Sequence, residues 1–330
     1  MSEKNWLADQ RSMPKLSVVI CTYHPSPQVF EEVLNALQLQ DLPQSQWEII
    51  LVDNGGKTPL ESIFDFSNLP ALQVIVESTP GLAHARLCGV RAAAHPLLVF
   101  VDDDNVLAPT YLSAALDFYR RNPHVGCFGG RSIPAFETQP PSWFFKTNIN
   151  LGCQEYGHHL YISNFAATGF KITGYPQFAP IGTGMVIQKR AFMAYVVEAE
   201  NNIYRMALGR IGKALSSGED NDIILTVVKS GYEIAYVPSL CIKHIIQRHR
   251  YSLAYLKRMA YESNRSWVKV LYLHGISPWK TIYSWTLPIR KLKALLNLKP
   301  WQSELSSIRF QSAIGKLQGL SELSGTPNQK

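Results

Sequence analysis

The sequence predicts an α/β protein: a mostly parallel sheet flanked by helices, followed by a C-terminal helical extension. Three observations carry this. Buried-strand runs alternate with helical periods over residues 16–121, the strands stop at turns rich in Pro, Gly or Asp, and the last quarter of the chain changes in composition and in the sign of its charge. With 330 residues, 46% hydrophobic and 17% charged, the chain can fill a sizeable core and is neither disordered nor a coiled coil.

Residues 16–23 form an apolar, β-branched run without helical period, the first strand. Ser26 as N-cap and Pro27 in the first turn open a helix in which Val29, Phe30, Val33, Leu34 and Leu37 recur every three or four residues. Residues 47–53 are the second strand, closed by Asn54-Gly55-Gly56, and 72–77 the third. A helix over 81–94 leads to a fourth strand, 97–101, which runs into Asp102-Asp103-Asp104-Asn105 before a helix over 109–121. From 125 to 180, Gly, Pro and aromatic residues predict loops over a site, and an apolar segment follows at 184–187. Gly218-Glu219-Asp220-Asn221-Asp222 opens a helix with Ile223, Ile224, Val227 and Val228 inward, and Ser216 or Ser217 is its expected cap. A strand over 232–237 and basic amphipathic helices over 252–273 and 279–298 complete the pattern. In such sheets ligands gather at the carboxyl ends of the strands, where the acidic residues stand.

Net charge +7 is unevenly spread: residues 1–240 carry 17 Lys+Arg against 22 Asp+Glu, and residues 241–330 carry 15 against 3. In the basic part Trp279, Tyr283, Trp285 and Trp301 interleave with Lys280, Arg290, Lys291, Lys293 and Lys299. That is the composition of an interfacial helix on an anionic membrane surface, or else of a solvated basic face packed down by its aromatics. Nucleic acid is not an expected partner, because no binding module accompanies the charge. Five scattered cysteines predict free, buried thiols, and residues 1–14 lack the hydrophobic centre of a secretion signal, so a cytoplasmic chain is expected.

Three adjacent carboxylates, Asp102, Asp103 and Asp104, repel one another unless a cation or solvent intervenes. Mg²⁺ or Mn²⁺, hard ions that take one or two carboxylates and leave room for a diphosphate, would suit them; an acidic turn capping the next helix is the alternative. Glu219 and Asp220 lie in a helical first turn, where carboxylates are favoured anyway, and a helix-capping role is the plain reading from sequence alone. Trp143, Phe144, Phe145, Tyr156, Tyr161 and Phe165 could stack on sugars or fill a core. A dinucleotide oxidoreductase is disfavoured, since Thr22-Tyr23-His24-Pro25-Ser26-Pro27 stands where a Gly-rich turn is needed. An aspartyl phosphatase is disfavoured too, because Val106 replaces the Thr that class uses.

Five segments in order resemble family 2 glycosyltransferases of the GT-A fold, inverting enzymes that use nucleotide sugars. They are Ser17-Val18-Val19-Ile20-Cys21-Thr22-Tyr23, Ile49-Ile50-Leu51-Val52-Asp53-Asn54-Gly55, Gly81-Leu82-Ala83-His84-Ala85-Arg86, Asp102-Asp103-Asp104 and Gly218-Glu219-Asp220, and the resemblance covers about residues 16–250. It implies that Thr22 and Tyr23 line a nucleotide pocket, that Asp53 accepts from the base, commonly uracil, and that Arg86 sits near the phosphates. It implies further that Asp102 to Asp104, with Asp103 between, form the D-x-D motif: Asp102 towards the ribose and Asp104, with His244, on the metal. Asp220 would be the catalytic base, Glu219 an acceptor-orienting neighbour, and Arg250 a partner of the leaving diphosphate. Gln247-x-x-Arg250-Tyr251 lacks the Trp of the processive synthases' Q-x-x-R-W box, and no polymerase is inferred. The expected organisation is a tail over 1–14, a nucleotide-sugar-binding half over 15–125, an acceptor-binding and catalytic half over 126–250, and a basic helical extension over 251–330. The implied activity is hexosyl transfer from a nucleotide sugar, a uridine diphosphate sugar first, to a glycan or lipid-linked acceptor. A non-catalytic glycan- or nucleotide-binding protein of the same fold is the alternative, and a peripheral position at the inner face of the plasma membrane is compatible with either.

Overall fold

The computed structural model describes residues 14–56, 58–69, 71–212 and 214–325, so all but Pro14 of the expected tail lies outside the described residues. In chain order the elements are β1 Leu16–Thr22, α1 Pro27–Gln38, β2 Trp47–Asp53, β3 Leu72–Val76, α2 Leu82–Ala92, β4 Leu97–Asp102, β5 Asn105–Leu107 and α3 Tyr111–Arg121. They continue with β6 Val125–Phe136, β7 Tyr161–Ile162, β8 Val186–Gln188, α4 Lys189–Ala199, α5 Ile203–Met206, α6 Glu219–Lys229 and β9 Glu233–Ile246. The C-terminal part adds α7 Leu253–Leu273, α8 Leu287–Leu298 and α9 Glu304–Glu322.

The strands join one sheet in the order β3-β2-β1-β4-β8-β6-β9-β5, with β7 also on β9. The first four are parallel, β6 and β9 are parallel over a long stretch, and short β8 links the two groups antiparallel to both. Successive β1 residues face opposite sides. Val18 and Ile20 pack with α1 and α3, whereas Val19 packs with α2, α4 and α6. Because helices cover both faces, these strands are apolar throughout rather than alternating.

Several boundaries depart from the sequence reading. Residues 125–136, expected as loop, form a twelve-residue strand. The glycines there mark close backbone approach: a Cβ on Gly130 would sit 2.0 Å from the Leu240 carbonyl oxygen. β9 runs on through Pro238 to Ile246 because a break in register, from Gly129 opposite Tyr236 to Arg131 opposite Cys241, absorbs the proline. α8 starts at Leu287, not 279, with Pro288 in its first turn, and α9 was not expected. Ser26 occupies the N-cap of α1 without a side-chain bond, and Gly218 rather than a serine precedes α6. All five cysteines are free, but only Cys127 is fully buried. No helix among the described residues is long and apolar enough to cross a membrane.

Candidate active site

Strand register assembles the site. Thr22 lies opposite Asp53 and Cys21 opposite Asp102, so the carboxyl ends of β1, β2 and β4 bring three of the expected residues to one edge. The acidic turn after β4 is then folded against β9, because β5 pairs antiparallel with it and puts Asn105 opposite His244.

Buried Asn105 organises the turn: its carboxamide oxygen accepts from the Asp102 backbone N–H at 3.2 Å and its Nδ2 donates to Asp104 Oδ1 at 2.9 Å. The Thr22 hydroxyl donates to Asp103 Oδ2 at 2.8 Å. Asp104 Oδ2 meets Arg250 Nη1 at 2.5 Å and His244 Nε2 at 3.3 Å, and both cations are almost wholly buried. Neighbouring carboxyls are thereby driven apart. Burial, with the charges of Asp104 and Asp102, pushes Asp103 up to about 7. Burial opposes ionisation of Asp104 as well, but His244 and Arg250 outweigh it and hold the group below the ordinary range. Burial, with the charge of Asp104, leaves Asp102 raised despite Arg86, His244 and Arg210.

A second group forms where α2, the 182–184 segment and α6 meet. Arg86 lies over the Phe100 ring, 5.4 Å from its centroid, with Nη1 3.4 Å from Glu219 Oε2. Glu219 is buried and neither of its oxygens has a hydrogen-bond partner; burial raises its pKa and Arg86 lowers it, for a net rise. Half-buried Asp220 accepts from the Gly182 N–H at 3.2 Å and from its own neighbour, the Asn221 N–H, at 3.0 Å. Gly182 is where the groups converge: a Cβ there would lie 3.1 Å from Arg86 Nη2 and 3.5 Å from Asp220 Oδ2. A side chain there would crowd the guanidinium and touch the half-open carboxylate.

Asp53 is buried, and its Oδ1 accepts from the Gly55 and Gly56 N–H groups at 3.2 and 2.8 Å, closing its own turn. Tyr23 is half exposed and its ring lies against this turn, since a Cβ on Gly55 would come within 2.3 Å of it. Of the six aromatics considered for sugar contact, Phe144 is core and Phe165 packs against a core cluster. Tyr161 stacks on Phe178, while Tyr156 and Phe145 are partly exposed. Trp143 lines an open groove of about 590 Å³ with Glu137, Pro141, Gln247, Arg248, His249, Tyr251 and Ser252, adjoining Arg250.

Sequence reading did not note Gly182 and gave Asn54, Asn105 and Asp222 no role in the site. Asn54 ties the β2 turn to α2, donating to the Glu77 and Thr79 carbonyls and accepting from the Gly81 N–H at 2.8 Å. The paired glycines Gly182 and Gly184 were a signal that could have been used. Nothing in the sequence linked Asp222 to its distant partners, Arg205 and His274.

The donor set suits a small hard cation in kind: carboxylate oxygens crowd at a strand tip, and burial with the charges of Asp104 and Asp102 keeps Asp103 raised despite Thr22 and Arg250. Yet no three His, Cys, Asp or Glu side chains among the described residues converge as ligands. Asp104 is already engaged by Arg250, His244 and Asn105. Such an ion would therefore rest on one or two carboxylates and complete its shell elsewhere, a habit of Mg²⁺.

The profile described as Glycosyl transferase family 2 matches residues 17–193, more than half of the chain. An N-acetylglucosaminyltransferase of Rhizobium meliloti is 21% identical over 246 residues, covering 72% of this chain and 53% of the relative. A poly(ribitol-phosphate) beta-glucosyltransferase of Bacillus spizizenii is 24% identical over 236 residues, 68% of this chain and 34% of its own. This chain thus spans about half, or less, of the relatives' length. Among solved structures, the mannosyltransferase PcManGT of Pyrobaculum calidifontis, in complex with GDP-Man and Mn²⁺, superposes with a TM-score of 0.52 at 18% identity, over 93% of this chain and 79% of that one.

Proposed function

The chain belongs to glycosyl transferase family 2, and from that premise we propose that it is an inverting hexosyltransferase. It would move a sugar from a nucleotide donor, a uridine diphosphate sugar first, to a glycan or lipid-linked acceptor. The observation that carries the reading is the approach of Asp220 and Arg86 across Gly182, beside the acidic strand tips.

Asp220 is the group suited to act as base. It sits in the first turn of α6, half open, and each of its oxygens accepts from a backbone N–H, which fixes the carboxylate's orientation. It takes the acceptor's proton as that oxygen attacks the anomeric carbon. The nucleoside diphosphate leaves from the opposite face with the bonding electron pair, so configuration inverts and no covalent enzyme intermediate forms. Arg86, paired with Glu219, and Arg250, paired with Asp104, are fixed cations of the site, and they favour the charge that builds on the departing diphosphate. Glu219, enclosed against Arg86, holds that guanidinium in place rather than meeting the acceptor. Asp53 and Tyr23 flank the nucleotide end, with Thr22 steadying Asp103. Asp102 and Asp104, with His244 behind Asp104, would hold Mg²⁺ or Mn²⁺, which when bound supplies positive charge to the diphosphate. The groove beside Arg250, with Trp143 and Glu137, suits a ring-bearing acceptor.

Asp220→Asn tests the assignment. Single-turnover transfer should fall about 10²–10⁴-fold with nucleotide affinity unchanged, as loss of a general base requires. Retained turnover would remove Asp220 from the chemistry, and wild-type binding without any turnover would favour the non-catalytic alternative.

A further inference from the structure

We propose that the outer face of α8 docks on an anionic lipid bilayer. Not one of its residues is buried. Trp285, just before the helix, and Ile289, Leu292 and Leu296 within it are 75%, 68%, 56% and 59% exposed. Their spacing of four, three and four residues puts them in one stripe. The opposite face, with Leu287, Leu295 and Leu298, is half-buried, and Lys291 turns inward to Gln318 Oε1 at 3.0 Å. The exposed stripe is therefore a second apolar face that the fold leaves uncovered.

Its surroundings identify the partner. Residues 263–303 contain seven Lys and Arg and no Asp or Glu. Exposed Arg290 and Lys293 border the stripe, and Tyr283 and Trp301 are exposed at its two ends. Apolar residues in a row, cations along the margin and amphipathic rings at the ends match the depth profile of a bilayer with anionic headgroups. A second copy of the chain is the poorer occupant, because it would set two cationic margins against each other. Trp279 takes no part: its ring is turned onto Lys316, 3.6 Å from the centroid.

The platform beneath is rigid enough to present such a face. α7 and α9 touch through glycines, since a Cβ on Gly315 would sit 2.1 Å from the Tyr261 carbonyl oxygen. Glu322 pairs there with Arg265 and Lys269. This inference rests on the extension alone and is independent of the transfer reaction.

The test is co-sedimentation of the full chain with phosphatidylcholine vesicles, with and without phosphatidylglycerol. Binding should be at least about tenfold tighter to the anionic vesicles and weaken with salt. Leu292→Glu combined with Leu296→Glu, both at exposed positions, should remove that binding while leaving the melting temperature and UDP affinity unchanged. Three results would overturn the proposal: no preference for anionic vesicles, a double variant that binds like the wild type, or a wild-type dimer in light scattering that the same substitutions disperse.

Discussion

At the strand tips, Asp102 and Asp103 stand together half-buried, with pKa values raised although Arg86 pulls the first down and Arg250 the second. Asp222, three residues beyond Glu219 on α6, is made of the same chemistry but sealed: Arg205 Nη1 lies 2.5 Å and His274 Nε2 2.6 Å from its Oδ1, and neither Asp222 nor His274 exposes any side chain. Arg205 also bonds Glu198 and the Thr226 hydroxyl, so the knot ties α4, α5, α6 and the end of α7 together. The difference teaches what separates working from structural carboxylates here. The structural one is fully enclosed with a paired cation, Arg205, and a hydrogen-bonded imidazole, whereas the tips are only half-buried and crowd carboxylates that nearby cations do not fully offset, where a ligand can complete them.

Matched substitutions should break the comparison or sharpen it. Asp222→Ala leaves Arg205 and His274 enclosed without their partner, and we expect a loss of about 3–5 kcal/mol, read from chemical denaturation. Asp102→Asn should leave stability unchanged or raised, because it removes a charge that burial and Asp104 disfavour more than Arg86, His244 and Arg210 favour it. Equal losses from both would erase the distinction.

Glu233 supplies a finer case, a buried carboxylate satisfied by donors instead of cations. Its oxygens accept from the Ser163 hydroxyl and from the Phe165 and Ala166 N–H groups, the latter two at 2.9 and 2.8 Å. Burial would raise its pKa, but these bonds outweigh that and hold it below the ordinary carboxylate value. Its stabilisation is therefore complete above that ordinary value and disappears as pH falls through the lower, folded-state one. Glu233→Gln should cost about 1–2 kcal/mol near neutral pH and flatten the acid side of the stability profile, measured by melts from pH 3 to 7. An unchanged acid limb would mean the bonds contribute nothing.

Much of this was legible in the sequence, for identifiable reasons. Strand-end residues were readable because a buried β-branched run that stops at polar residues leaves little choice about where its tip lies. Thr22, Asp53 and Asp102 were placed at strand ends that way, their roles coming from the resemblance, and strand register brings them to one edge. β6 was missed because Gly129, Gly130 and Pro134 resemble loop residues until the bulged, crowded pairing with β9 is known. Glu219 was expected beside the acceptor from the resemblance, and its burial was not legible because adjacency along the chain says nothing of which way a helical first turn faces. Its enclosure against Arg86 depends on Gly209, whose Cβ would fall 2.6 Å from Glu219 Oε2. The Asp222 knot draws on three separate helices and the residue after a fourth, and no local pattern reveals such a meeting.

Calorimetric titration of UDP into the full chain, first with Mn²⁺ and then with a chelator, addresses the nucleotide–cation site most directly. Affinity at least about tenfold higher with the ion, a gain that Asp102→Asn removes, is the expected result. Identical affinity in the two buffers, or no UDP binding in either, would contradict it.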